Sequence, residues 1–145
     1  MKKTPLYIIL TLLTVLVLTS IAADGGRKFM ITLTGAEEAP GPGDPDGSGT
    51  AFLSLNPGQG EVCFELSVSG IALPATGAHI HVAPAGSPGP VVVPLTPPDA
   101  SGASSGCVSA SRDLIIAIIQ NPDAYYVNVH TTKFPPGAVR GQLSK

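Results

Sequence analysis

The sequence predicts an all-β domain: an immunoglobulin-like Greek-key β-sandwich or barrel of seven or eight strands with one short helix. Three observations carry this expectation. Short runs alternate apolar and polar residues, the period of a half-buried strand. Clusters of glycine and proline separate the runs, and the chain holds 17 Gly and 15 Pro. Helical periodicity is confined to one segment.

The elements follow in order. "KFMITLT" (28–34) places Phe29, Ile31 and Leu33 on one face. "GAEEAPGPGDPDGSG" (35–49) is too rich in Gly and Pro for anything but loop. "TAFLSLN" turns Ala51, Leu53 and Leu55 inward, and "EVCFELSV" does the same with Val62, Phe64, Leu66 and Val68. "AHIHV" sets His79 and His81 on one face and Ile80 and Val82 on the other. In "VVVPL", Pro94 argues for an edge strand or a strand end. A Ser/Gly/Pro-rich connection leads to "CVSAS". "SRDLIIAIIQNP" has Leu114, Ile115, Ile118 and Ile119 at helical spacing, with Ser111 as N-cap and Asn121-Pro122 as the stop. A buried strand is the alternative there, since isoleucine favours strands. "AYYVNVHT" and "AVRGQL" close the fold as a hairpin around "TKFPPG". One of Tyr125 and Tyr126 is expected in the core and the other partly exposed.

The first residues read as a processing signal. Lys2 and Lys3 precede an uncharged, mostly apolar run from Leu6 to Ala23, which ends in small residues. This is the pattern of a secretory signal peptide over residues 1–23, with cleavage after Ala22 or Ala23 and a domain over 24–145. An uncleaved anchor is the alternative, and a membrane contact is expected only through that segment. Removing it leaves six basic and ten acidic residues, a net charge of about −4. No basic stripe exists to neutralise phosphates, which argues against nucleic acid as a partner. The expected setting is secreted, periplasmic or cell-envelope, with an extracellular protein or envelope component as partner.

Of two cysteines, Cys63 and Cys107, the expectation is a disulfide, the default in an exported chain. A two-cysteine zinc site or a free thiol is the minority reading. The chain has only three histidines, His79, His81 and His130, and all lie in strand-like segments. His79 and His81 sit about 7 Å apart at Cα by strand geometry and share a face. If the His130 strand is their neighbour, three imidazoles can converge on copper or zinc. The competing reading is a hydrogen-bonded polar cluster, with Asn128, Glu side chains or loop carbonyls as partners.

"ITLTGAEEAP", "AHIHVAPAGSPGPVVVPL" and "YYVNVHTTKFPPGAVRGQL" occur in that order. Together they resemble the CHRD domain, first named from chordin and widespread in secreted microbial proteins, over about 29–143. The family usually has an acidic residue where Ala138 stands, so a carboxylate beside Arg140 is not expected from that position. The resemblance implies an immunoglobulin-like barrel with limited likeness to copper/zinc superoxide dismutase. That likeness makes His79, His81 and His130 candidate copper ligands. Arg140 in "GAVRG" becomes a candidate for attracting an anion, with Asn128 beside it as a ligand contact. No histidine bridges two metals and the zinc-binding loop has no counterpart, so dismutase activity is not supported.

Other chemistry is thin. No serine lies in G-x-S-x-G. Glu37 and Glu38 read as a solvated strand edge rather than a glycosidase pair. Asp44 and Asp46 read as a turn, since the later acidic ligand of a calcium loop is absent. Low aromatic content argues against a stacked-ring carbohydrate site. Two functions remain: a secreted non-catalytic binding or structural module, and a metal-binding or redox protein using the three histidines.

Overall fold

The computed structural model describes residues 26–145; the predicted export segment lies outside the described residues. Eight strands form one antiparallel sheet: β1 (Arg27–Thr34), β2 (Ser48–Asn56), β3 (Glu61–Ser69), β4 (Gly77–Val82), β5 (Val91–Leu95), β6 (Ala103–Ser109), β7 (Tyr125–His130) and β8 (Val139–Gln142). Their order across the sheet is β5-β4-β7-β8-β1-β2-β3-β6. The sheet is curled, so its inward faces enclose one core. Strands β1, β2 and β3 form a meander. The links β3→β4, β5→β6 and β6→β7 jump between distant parts of the sheet. Pro94 lies on β5, an edge strand as expected, where its missing N–H costs no ladder bond.

Alternation explains the core. Ile31, Leu33, Leu53, Leu55, Val62 and Phe64 are all buried, facing Ile80, Val127, Val129 and Val139 from the other half. Leaving any one of these in water would cost roughly 1.5–3 kcal/mol. The isoleucine-rich segment is a helix, α1 (Arg112–Gln120), which buries Ile115 and Ile118 in the same core. Ser111 caps it: its hydroxyl accepts the Leu114 N–H at 3.3 Å. Ser111→Ala should therefore cost about 1 kcal/mol, read as a lower urea midpoint with unchanged slope.

Three local expectations change. The 35–49 loop opens with a single 3-10 turn, Gly35–Glu37, and ends earlier, at Ser48. Strand β6 begins at Ala103, inside the stretch read as a connection, because its register against β3 overrides the weak strand propensity of Ala and Ser. Tyr125 and Tyr126 are both buried, at 8% and 2% exposure. Residues 83–90 fold back over the outer face of β7, so that strand is covered on both sides.

Candidate metal centre and its polar surroundings

Strands β4 and β7 pair antiparallel, with His79 opposite Asn128 and Gly77 opposite His130. This register brings together on the outer face the three histidines that the sequence separates. Their ligand atoms all lie within 4.8 Å of one another. His79 Nδ1 and His130 Nε2 are 3.1 Å apart. Two nitrogens bound at about 2.0–2.1 Å to one ion sit roughly 2.9 Å apart at a right angle and about 3.3 Å apart at the tetrahedral angle. The observed pair falls between those limits.

Hydrogen bonds fix the tautomers. A carbonyl oxygen can only accept, so His81 Nδ1 donates to Gly89 O at 2.8 Å and His130 Nδ1 donates to Pro135 O at 2.9 Å. Both rings are therefore left with a bare lone pair on Nε2. His130 spends its lone pair on the N–H of His79. His81 Nε2 is buried and has no partner. Metal-binding histidines characteristically donate their second ring N–H to a carbonyl or carboxylate, which orients the ring and raises its basicity.

Burial and the neighbouring imidazoles favour the uncharged forms of His79 and His130. Desolvation, then the neighbouring His130 and His81, hold His79 down at about 4. His130 is also held below its ordinary value, chiefly by burial, against the opposing pull of the Pro135 carbonyl. Neutral imidazole is the form that binds copper or zinc.

The other candidates lie alongside. Asn128 is buried opposite Arg140 in the β7–β8 ladder. Arg140 is 1% exposed. Its Nη1 donates to Ser87 O at 2.9 Å, and its Nη2 to Pro84 O at 3.0 Å and Gln142 Oε1 at 3.1 Å. Its Cζ sits 3.4 Å from the centre of the Tyr126 ring. The guanidinium is thus engaged with loop carbonyls. Cys63 and Cys107 are directly opposed across β3 and β6 and form the disulfide. Asp44 makes the expected turn, its Oδ1 accepting the Asp46 N–H at 3.2 Å.

Glu38 departs from expectation. It is buried at 8% exposure, while Glu37 is exposed. The 35–47 loop folds against the β7–β8 connection, where Asp44 N donates to Ala138 O at 2.8 Å. Gly43 and Gly137 lie against the Glu38 side chain, and a Cβ on either would overlap it. Burial pushes the Glu38 carboxyl up to about 7 despite the Arg140 guanidinium, which pulls the other way. Desolvation outweighs attraction here because the guanidinium is already shared among three oxygens. So a carboxylate does stand near Arg140, supplied by Glu38 and not by position 138. Glu38 Oε1 and Asn128 Oδ1 are both buried without a partner. Hydrogen bonds from the Ala39 backbone and the Asn128 side chain also favour the charged carboxylate, but burial outweighs them. No periodic signal marks Glu38; only the glycines on the two facing segments, Gly43 and Gly137, hint that something must fit between them.

Searches of curated proteins and of solved structures found no match to this chain. A family model for the CHRD domain matches residues 29–143, from the first core residue of β1 to the residue after β8. That span contains all eight strands but for the first two residues of β1, and with them the disulfide, the three histidines, and the Glu38 and Arg140 cluster. The chain belongs to the CHRD domain family.

Proposed function

We propose that this chain is an exported, non-catalytic binding module that holds one copper or zinc ion on His79, His81 and His130. One observation carries the reading: three imidazoles converge, two of them already anchored through Nδ1 to backbone carbonyls. The unpartnered, buried Nε2 of His81 supports it, since such an atom costs free energy until something binds it. The donor set is all imidazole, which suits copper and zinc better than magnesium or calcium. Export is supported by the apolar N-terminal segment and by the disulfide, which fits an oxidising compartment. An extracellular protein or envelope component is the partner class in this setting.

The His79–His130 hydrogen bond favours a second reading, a metal-free polar cluster that fixes the β4–β7 register. Calorimetric titration of metal-free protein with Cu(II) and Zn(II) separates the two. Metal binding predicts a dissociation constant in the micromolar range or tighter, weakened at least tenfold by His79→Ala and by His130→Ala. Weaker binding, or affinity that survives both substitutions, leaves only the structural reading.

A further inference from the structure

His81 is the ligand held most firmly, and its supports come from elsewhere in the chain. Its Nδ1–H rests on Gly89 O. Its ring lies parallel to Tyr126, with centroids 4.7 Å apart and planes 4° apart. Both supports are tied to one another, because Gly89 N donates to the Tyr126 hydroxyl at 3.2 Å. Both are also tied to Arg140. The guanidinium grips the 83–90 loop at Pro84 and Ser87, on either side of its Gly86 turn. The same guanidinium stacks on Tyr126. A ring has room for one such partner per face, so Tyr126 is sandwiched between Arg140 and His81. Gln142 adds a further strap, its Nε2 donating to Ala83 O at 2.9 Å and Asp123 O at 2.8 Å.

The geometry points to Arg140 and Tyr126 as positioning residues for the metal ligand His81: through the 83–90 loop and the ring stack they hold its imidazole with Nδ1 protonated and Nε2 turned to the ion. The inference rests on the metal-binding reading for its consequence, but its structural part stands apart from it. Arginine suits the role because its planar fork reaches two carbonyls while its face lies on a ring, which a lysine cannot reproduce. Partners of this kind characteristically change metal affinity by 10–100-fold when removed.

Two measurements test it, on wild type, Arg140→Lys, Tyr126→Phe and Ser111→Ala. The first is nitrogen NMR of the imidazoles without metal, which reads the tautomer of His81. Wild type should show Nδ1–H alone. Tyr126→Phe keeps the ring but loses the Gly89 contact, and Arg140→Lys keeps the charge but loses the fork. Each should give a mixture of tautomers. The second is Cu(II) affinity, expected to fall tenfold or more in both variants. Ser111→Ala, which weakens α1 away from the site, should leave both readouts unchanged. If Arg140→Lys fails to fold, Tyr126→Phe decides. A single unchanged tautomer and unchanged affinity in the folded variants overturn the inference, as does an Nε2–H or mixed His81 in wild type. If wild type binds no copper, the metal reading fails, and the tautomers alone still judge the positioning role.

Discussion

Replacing Cys63 and Cys107 with serine should lower the unfolding free energy by about 4 kcal/mol, from the closure entropy of a loop of this length. The two cysteines are 44 positions apart. The segment they close contains β4 and β5, and with them His79 and His81. The position of the bridge makes it matter more than its loop length alone suggests. Strand β6 sits at one end of the sheet, and its sequence, ASSGCVS, is mostly exposed. It has almost no apolar side chain to bury, so hydrogen bonding to β3 and the disulfide are what keep it docked. Domains of this size are stable by roughly 5–15 kcal/mol, so the loss is a large fraction of the whole. Urea unfolding of the double variant against the oxidised wild type reads the effect directly. A shift below about 1 kcal/mol would show that β6 is held by its ladder alone.

Glu38→Gln should stabilise the protein above pH 7 and leave it nearly unchanged at pH 4.5. The folded carboxyl is pushed up to about 7 from an ordinary value of 4.5. Between those values the folded state binds the proton more tightly than the unfolded chain does. The stability this contributes is full below pH 4.5 and is lost as pH rises through 7. A difference of 2.5 units (7 less 4.5) amounts to about 3 kcal/mol. Glutamine has the shape of the protonated acid and cannot ionise. Histidines work in the opposite direction. His79, neutral in the fold down to about 4, makes the protein less stable as pH falls below 6.5. The difference between wild type and Glu38→Gln cancels the histidine contribution, so melting curves of both proteins from pH 4.5 to 8 isolate Glu38. Parallel curves would mean that folding does not shift the Glu38 carboxyl. Arg140 and Asn128 are the groups that face it.

The strands were legible because their inner faces obey a two-residue period, and Phe29 to Leu33 or Val62 to Val68 can be assigned by inspection. The helix was legible because Ser111, Asp113 and Asn121-Pro122 punctuate it. What escaped was everything decided by one loop lying on another. Tyr126 alternates outward, yet it is buried because residues 83–90 cross over it. Glu38 looks solvated in a Gly/Pro loop, yet that loop folds against residues 134–138. Arg140 reads as a candidate for attracting an anion, but its partners include carbonyls of Pro84 and Ser87, and a carbonyl leaves no mark in a sequence. The histidine cluster lay between these cases. Its shared face followed from H-x-H spacing, whereas the third member depended on which strand neighbours β4.

The order of strands also governs when the site can exist. Strand β1 is hydrogen-bonded to β8, with Thr34 opposite Arg140, a separation of 106 positions (140 less 34). Strands β4 and β7 meet across 51 positions between His79 and His130. Such long-range pairings come late in folding, because each must overcome the entropy of closing a long loop before any contact rewards it. The β1–β2–β3 meander can form while the rest of the chain is still emerging. The histidines cannot converge until β7 arrives, and the Arg140 clamp waits for β8. An ion that needs all three rings therefore finds no complete seat on a half-threaded chain. Under the proposed export and metal binding, loading would fall on the far side of the export barrier, and the metal supply of that compartment would determine which ion is taken.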